Sequence, residues 1–368
     1  MRVMVKELQE GCILSADVYS KTNRPIMKKN TVLNNELINI LKLFFIHDVH
    51  VEKTLINGMP FTPIEVLEDE NLTVSKEDSG QEAFRLSDMF LIAVQKYKRE
   101  FKSWQAGLPI DISRIREIIL PLLERAETST SEIFTLHHFS TKEDYIYQHS
   151  VAVAILSAFI AKKLNYNKGE IVQIALAGCL ADCGMAKLSN KILFKKTSLT
   201  VNEFEEIKKH PTHSYKMVQN ISLLRDSTKL GIAQHHERLD GSGYPFGEKG
   251  NKIHLFAKII GTADTFHAMT SERLYRSKQS PFKVLEMMSE DQFGKFDPVI
   301  LKALMSGIMN FSNGSKVKLS DGQEGEILFM DEKAPTRPLI KLLNSNEIID
   351  LGKHRHLFIN EVLTEASR

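Results

Sequence analysis

The pattern of apolar and polar positions divides the chain into three parts, of which the first is residues 1–57. Short apolar runs alternate there with turn residues, which predicts a few strands around one helix. The apolar positions of that helix recur at helical spacing: Leu37, Ile40, Leu41 and Phe44. Residues 58–82 are acidic and polar, which is typical of a linker. We therefore expect a small N-terminal α+β module followed by a linker.

The second part, residues 83–310, has helical periodicity almost throughout. Two of its segments are apolar nearly all round, as expected for helices at the centre of a bundle. Pro121 interrupts an amphipathic segment, and we expect it to kink or divide that helix. Thr200 and Glu203 have the spacing of a capping box, which predicts the start of another helix. The pattern therefore predicts an all-helical domain.

The third part, residues 311–368, changes to the short alternating runs that are typical of strands. Asp321 and Gly322 stand between two such runs and predict a β-hairpin. This part is therefore predicted to be a small β module. The expected fold class is mainly α: a helical bundle flanked by a small N-terminal α+β module and a small C-terminal β module.

Composition and charge narrow the class of protein. The chain has 42% hydrophobic residues, 26% charged residues and a formal net charge of +2, which gives no reason to expect a nucleic acid polymer as partner. The three cysteines, Cys12, Cys179 and Cys183, have no paired spacing. We see no secretory leader and no apolar run long enough to span a bilayer. The sequence therefore predicts a reduced, cytoplasmic protein without a membrane span.

The candidate chemistry lies in the helical part, where six residues carry side chains that first-row transition metals bind: His149, Asp182, His210, His235, His236 and Asp264. We place Asp182 inside the second apolar helix and His210 at the end of the third helix. Any one of these residues, taken alone, is more often a hydrogen-bonded structural residue. Together they indicate two metals bridged by a carboxylate.

Residues 145–309 resemble the HD-GYP family, the metal-dependent phosphodiesterases that hydrolyse cyclic di-GMP. Two stretches carry the resemblance: "HHERLDGSGYPFG" at 235–247 and "TADTFHAMTSERLYR" at 262–276. Further support comes from "LTVNEFEEIKKHP" at 199–211 and "FDP" at 296–298. The resemblance implies a helical bundle of the HD superfamily and a bacterial signalling protein.

The resemblance also implies a role for each candidate residue. Asp182 would be the catalytic, bridging carboxylate, with His149 and Asp264 on one metal. The other metal would be held by His210, His235 and His236. Substrate contacts would come from the loop residues Gly243, Tyr244 and Pro245 and from the cationic residues Arg273 and Lys195. The cofactor would be a divalent transition metal, Fe or Mn before Zn, with one ion bound tightly and the other weakly or not at all.

This chain departs from the family at the second metal-binding helix. The family pattern is His-Asp-x-Gly-Lys, whereas residues 181–185 read Ala-Asp-Cys-Gly-Met. Alanine has no donor atom, so Ala181 removes a ligand from the metal shared with His149. Some relatives hold a third metal with a glutamate four residues before the first histidine. Tyr145 stands there in this chain, which argues against a trinuclear site.

Three other residues near the motif are candidates to replace the missing ligand. Cys183 is two positions from Ala181, about 200° round a helix, so its thiol should face elsewhere. His267 lies three residues after Asp264, where the family usually has aspartate, and His213 bears the same relation to His210. We expect both histidines to lie behind the ligands or at the surface rather than to bind metal.

Two functions of different class remain open at this stage. In the first, the chain binds cyclic di-GMP and slowly hydrolyses it. The complete ligand set of His210, His235 and His236 with Asp182 and the Gly-Tyr-Pro loop favour this function. In the second, it is a catalytically inactive cyclic-dinucleotide receptor or signalling scaffold, which Ala181 and Met185 favour. A phosphohydrolase for another nucleotide would leave the Gly-Tyr-Pro motif unexplained. The expected partner is cyclic di-GMP, and protein partners bound through the end modules and a homodimer are further options.

Overall fold

The computed structural model describes residues 1–19, 25–44, 46–67, 85–141, 143–195, 197–271, 279–290, 294–308, 314–331 and 334–363. The chain divides into two compact units, Met1–Gln95 and Lys96–Ala366. Most of the predicted linker lies outside the described residues. The division into three parts with a linker at 58–82 therefore stays a prediction.

The N-terminal unit contains a small α+β module. Its elements are β1 (Arg2–Met4), β2 (Val18–Tyr19), β3 (Pro25–Met27), α1 (Asn35–Leu43) and β4 (Asp48–His50). Strand β1 pairs antiparallel with β4, and β2 pairs antiparallel with β3. Helix α1 begins where the Asn34 side chain accepts a hydrogen bond from the Leu37 amide. Of the positions that the helical spacing marks, Leu41 is buried in the module's apolar core, and Leu37 and Ile40 are partly buried against it. Phe44 is 53% exposed, and Ile38, which the spacing did not mark, is buried.

The remaining helices make up most of the chain. They are α2 (Leu86–Gln105), α3 (Ile112–Thr128), α4 (Thr130–Ile133), α5 (Tyr145–Lys163), α6 (Lys168–Leu180), α7 (Asn190–Leu193), α8 (Val201–Ile207), α9 (His210–Val218), α10 (Asp226–Gln234), α11 (Leu255–Thr270), α12 (Pro281–Ser289) and α13 (Pro298–Ile308). Helices α5 and α6 pack along each other, and α11 packs against both. Every residue of α5 from Tyr147 to Ala161 is buried, so the nearly all-apolar helices are central, as predicted. The capping box of Thr200 and Glu203 is present at the start of α8.

Pro121 was expected to kink or divide its helix, and the expected division is wrong. Helix α3 is continuous from Ile112 to Thr128 with Pro121 inside it. Proline lacks the amide that would bond to the carbonyl of Glu117, four residues earlier. Both residues are on the exposed side of α3, where solvent can hydrate that carbonyl. The missing bond therefore leaves no buried polar group, and the helix continues.

One segment, Lys168–Lys187, is long and apolar enough to cross a membrane by length and composition. The expectation that no apolar run reaches this length is therefore wrong. Within the described residues, 61% of its most apolar window is buried inside the protein. The segment consists of α6 and the turn that follows it, and α6 packs on α5, α10 and α11. Its apolar side chains pack against these neighbouring helices.

The C-terminal part forms one antiparallel sheet. Its strands are β5 (Lys316–Leu319), β6 (Glu324–Phe329), β7 (Leu339–Leu342), β8 (Ile348–Asp350) and β9 (Ile359–Leu363), in the spatial order β8-β7-β6-β5-β9. The hairpin predicted at Asp321 and Gly322 is confirmed, and Gly322 has the left-handed backbone (φ 90°) that favours glycine there. Phe282 of α12 is buried in the apolar core of this sheet.

A buried ion pair joins α12 to the β module. Arg337, 8% exposed, precedes β7 and donates to the carboxylate of Glu286 on α12, which is 6% exposed. The same guanidinium donates to the backbone carbonyls of Leu351 and Leu357. Because both charges are out of water and have further partners, loss of one should cost more than loss of a surface pair.

We expect Arg337→Leu to lower the free energy of unfolding by up to about 3 kcal/mol, since it leaves the buried Glu286 carboxylate with only the partly exposed Lys283 ammonium, 3.4 Å away. Urea denaturation at neutral pH measures this change. The double variant Arg337→Leu with Glu286→Leu should recover much of the loss. As a control, Lys353→Ala removes an 82% exposed partner of Asp350 and should change stability little. Equal effects of Arg337→Leu and Lys353→Ala would contradict the prediction.

Candidate metal centre

Six side chains form one mostly buried cluster of possible metal ligands. Ligand atoms of Asp182, His210, His235 and His236 lie within 4.8 Å of one another, and so do those of His149, Asp182 and Asp264. Asp182 belongs to both groups. The structure therefore brings together all six residues that the sequence singles out as metal ligands.

Asp182 is held by the turn that follows α6. The expectation that it lies inside a helix is wrong, because α6 ends at Leu180 and a short 3-10 helix spans Cys183–Lys187. The Gly184 amide donates to Ser214 Oγ (2.8 Å), and that hydroxyl donates to the Ala181 carbonyl (2.6 Å). A side chain at Gly184 would start 2.3 Å from the His210 carbonyl oxygen. This close approach to α9 places Asp182 beside His210.

His210 begins α9 rather than ending α8, which corrects the second expectation about helix ends. The reason is Pro211, whose missing amide and fixed φ suit the first turn of a helix. The His210 Nδ1–H donates to the Ile207 carbonyl at 2.7 Å. His235, which directly follows α10, donates its Nδ1–H to the Ile232 carbonyl at the same distance. Both rings therefore direct Nε2 towards the cluster, and in the neutral form of each ring that nitrogen carries the lone pair.

These two nitrogens converge on the Asp182 carboxylate. The Nε2 atoms of His210 and His235 are 3.3 Å apart, and they lie 3.0 Å and 3.6 Å from Asp182 Oδ1. In the described part of the chain, Oδ1 is buried without a hydrogen-bond partner. Lone pairs that face one another in a buried site repel unless a cation lies between them. The donor set of two imidazoles and a carboxylate therefore fits a first-row transition metal.

The other ligand group lies between α5 and α11. His149 Nε2 is 2.8 Å from Asp264 Oδ1 and 3.6 Å from Asp182 Oδ2. His236 Nδ1 is 3.7 Å from the other oxygen of Asp264, so the two groups are contiguous. This group has one imidazole and two carboxylates, and Ala181 beside it is buried but offers no donor atom.

The protonation states of the cluster suit metal binding. Burial opposes ionisation of Asp264, but the imidazoles of His236 and His149 outweigh it and hold the pKa of Asp264 below its ordinary value. Burial and the neighbouring His235 lower the pKa of His236 well below its ordinary value. Near neutral pH the cluster therefore presents carboxylate at Asp264 and neutral imidazole at His236, the forms that bind metals.

The Gly-Tyr-Pro loop is fastened to the turn that carries the adjacent histidines. A side chain at Gly243 would start 2.4 Å from the His236 carbonyl oxygen, so the protein's own backbone requires glycine here. The Tyr244 ring stacks on the His236 ring with centroids 4.6 Å apart. The buried Glu237 carboxylate accepts hydrogen bonds from the amides of Phe246 (2.7 Å) and Glu248 (3.0 Å).

The other expected substrate contacts are placed less directly. Pro245 follows Tyr244 in the same loop, through a cis peptide bond. The Lys195 ammonium is 2.5 Å from the Glu203 carboxylate, the residue that completes the capping box of α8. Arg273 lies outside the described residues. The assignment of these residues to substrate binding stays a prediction.

The candidate replacement ligands do not join either group. Cys183 Sγ lies 4.0 Å from the Ser214 carbonyl, and burial raises the pKa of this thiol to about 12, so it stays protonated. His267 is buried behind His149, with their Nδ1 atoms 2.9 Å apart. Tyr145 stacks on the His149 ring with centroids 5.2 Å apart. His213 is partly exposed and belongs to neither ligand group.

Sequence reasoning missed two residues that organise the site, Ser214 and Glu237. The only signal for Ser214 is its position one helical turn after His210. Glu237 directly follows the paired histidines but looks like an ordinary surface acid. Ser214 contacts the turn after α6, and Glu237 contacts backbone amides of the Gly-Tyr-Pro loop. Residue spacing in the sequence reveals neither contact.

We expect Ser214→Ala to weaken metal binding about 10- to 100-fold, the range typical of losing a residue that supports a ligand. It should also lower stability by about 1–3 kcal/mol, because the Gly184 amide and Ala181 carbonyl lose their partner. Ser157 is equally buried and its hydroxyl has no hydrogen-bond partner among the described residues, so Ser157→Ala is the matched control and should change neither property. Titration of the metal-free proteins with Mn²⁺ and thermal unfolding measure both. Unchanged Mn²⁺ affinity of Ser214→Ala would contradict the prediction.

Comparison with known proteins shows what the helical region is similar to. Residues 134–300 match the HD domain family. A cyclic di-GMP phosphodiesterase of Pseudomonas aeruginosa, PA4108, is 27% identical over 69% of this chain and 63% of its own length. The cyclic di-GMP phosphodiesterase PdeB of Borreliella burgdorferi is 32% identical over 55% of this chain and 53% of its own length. The 3'3'-cGAMP-specific phosphodiesterase 3 of Vibrio cholerae is 33% identical over 55% of this chain and 41% of its own length.

The chain thus spans between two fifths and two thirds of the length of these curated relatives. The matched region contains both ligand groups and the Gly-Tyr-Pro loop. Residues 134–300 of this chain are therefore similar to the HD domain family, and this similarity agrees with the resemblance to the HD-GYP family seen in the sequence.

Proposed function

We propose that this chain is a metal-dependent phosphodiesterase that binds cyclic di-GMP and hydrolyses it slowly. The observation that carries the proposal is the Asp182 carboxylate, which two adjacent ligand groups share beside the Gly-Tyr-Pro loop. A carboxylate common to two ligand groups is suited to two metals a few ångströms apart. The relatives named above act on cyclic dinucleotides, which supports this substrate class.

The residues present suit Fe or Mn before Zn. Imidazole and carboxylate ligands are compatible with all three metals, and the mixed set suits Fe and Mn. Bound divalent metals would neutralise charge on the phosphoryl oxygens and make water nucleophilic near neutral pH. We expect the group with three histidines to bind its ion tightly, since it keeps four ligands. The group with His149 keeps three and should bind weakly.

The chain's own residues hold and orient the parts of this site. The carbonyls of Ile207 and Ile232 fix which nitrogen of His210 and His235 faces the metal. Tyr244, held against His236, offers the exposed part of its ring for a nucleobase. Lys195 would bind substrate phosphate only if it exchanged its contact with Glu203 for one with the substrate.

The second candidate function is a receptor or scaffold that binds cyclic dinucleotide without turnover. The observation in its favour is Ala181, which is 4% exposed and supplies no ligand atom where the family pattern has histidine. A cytoplasmic location, protein partners bound through the end modules, and a homodimer belong to the proposal in either case.

We expect Asp182→Asn to abolish cleavage of cyclic di-GMP, because an amide cannot supply the shared negative charge to two metals. Chromatography of the products measures cleavage, and elemental analysis after reconstitution with Mn²⁺ should show fewer ions per chain. Asp226→Asn is the control: its side chain is 98% exposed, and it should leave both values unchanged. Cleavage that survives Asp182→Asn would show that the chemistry lies elsewhere. A wild type that binds but never cleaves would decide for the receptor.

Ala181→His should raise the number of bound metals towards two and increase the rate of cleavage, because it returns a ligand to the weaker group. Met185 and close packing around residue 181 would limit the gain. Ala181→Leu adds similar volume without a donor atom, so it should not raise metal content. Metal analysis and initial rates for both variants separate ligation from altered packing. Equal metal content in the two proteins would refute the expected gain.

A further inference from the structure

Three buried histidines of the ligand groups, His149, His210 and His235, differ in what holds their second ring nitrogen. A histidine that binds metal through Nε2 carries its proton on Nδ1, and the acceptor of that proton sets the orientation of the ring. For His210 and His235 the acceptors are backbone carbonyls one turn earlier, Ile207 and Ile232. His149 Nδ1 instead faces two side chains, His267 and Tyr145, while its Nε2–H donates to the Asp264 carboxylate at 2.8 Å. A metal bound at Nε2 would take the place of that proton, which would then be carried on Nδ1.

Of these two neighbours, His267 is the better acceptor. Its Nδ1 is 2.9 Å from His149 Nδ1, whereas the Tyr145 hydroxyl is 3.2 Å away. Tyr145 is also stacked face to face on the His149 ring, with an angle of 27° between the planes. A stacked ring is poorly placed to receive a proton that lies in the plane of the imidazole.

The surroundings of His267 match an acceptor at Nδ1. Ser271 Oγ lies 3.2 Å from His267 Nε2 and 3.3 Å from His267 Nδ1, and Ser140 donates to the same hydroxyl at 3.1 Å. If Nε2–H of His267 donates to Ser271, its Nδ1 carries a lone pair and can accept from His149. His267 is 2% exposed and Ser271 1%, so these contacts are shielded from water.

We propose that His267 is a positioning residue for His149: it accepts the Nδ1 proton and holds Nε2 towards the ligand group of Asp182 and Asp264. This proposal rests on the proposed metal site but adds a residue outside both ligand groups. A neutral imidazole is a weaker acceptor than a carboxylate, so it makes His149 a weaker ligand than an aspartate at 267 would. His267 thereby contributes, with Ala181, to weak binding of the metal held by His149.

The test is Mn²⁺ titration of the metal-free full chain with variants at position 267. His267→Leu should weaken the weaker Mn²⁺ site about 10- to 100-fold and leave the tighter site unchanged. His267→Asn, whose amide oxygen can accept the same proton, should restore part of the affinity. His267→Asp should bind Mn²⁺ at the weaker site more tightly than the wild type.

Two controls separate positioning from general damage. Thr270 is fully buried on α11, and Thr270→Val removes a hydroxyl that donates to the backbone carbonyls of Phe266 and His267 without touching the His267 ring, so both Mn²⁺ sites should be unchanged. Tyr145→Phe removes the competing hydroxyl but keeps the stacked ring, and it should change affinity little.

Three results would overturn the proposal. The first is wild-type Mn²⁺ affinity at both sites in His267→Leu. The second is an equal loss of Mn²⁺ affinity at both sites in that variant. The third is a greater loss of Mn²⁺ affinity in Tyr145→Phe than in His267→Leu. A wild type that binds no Mn²⁺ would overturn the proposed function as well. Two normal sites in His267→Leu would overturn only the role of His267.

Discussion

The site depends on keeping the Asp182 carboxylate in one place between two groups of ligands. If the turn were flexible, fixing the Asp182 carboxylate on a metal would cost conformational entropy. The turn must also hold Asp182 close to a second buried acid, Asp264, which repels it. Here the turn after α6 is pressed against α9, and Ser214 satisfies one amide and one carbonyl of that turn. The arrangement places Asp182 within reach of His210 and His149 at once.

The two ligand groups are supported in different ways. In the group with three histidines, two rings are oriented by backbone carbonyls, which remain whatever side chains surround them. In the group with His149, orientation depends on side chains, and this is the group beside which the chain departs from the family pattern. Substitution can therefore weaken one half of the centre while the other half keeps its geometry. This difference is consistent with a protein that retains one strong metal site.

Much of the fold followed from the sequence because periodicity reports which face of an element is buried. Helix α1, the central helices α5 and α6 and the hairpin at Gly322 were all predicted in this way. The six clustered ligands were also predicted, since residue type and family resemblance point to the same positions. The ends of elements were not: Asp182 lies after its helix and His210 at the start of one. Those ends depend on Pro211 and on contact between the turn at Gly184 and α9, which no local pattern records.

The ion pair of Arg337 and Glu286 has a consequence for where this protein can be divided. The region that matches the HD domain family stops at residue 300, and the sheet begins at Lys316. Yet the sheet's core includes Phe282 of α12, and the guanidinium that neutralises Glu286 comes from beyond the second strand of the sheet. A protein cut between these regions would expose an aromatic ring and leave Glu286 with only Lys283 of its own helix as a cationic partner. The helices that match the HD domain family and the β module therefore lie in one compact unit, and the end of the family match is not a boundary in the structure.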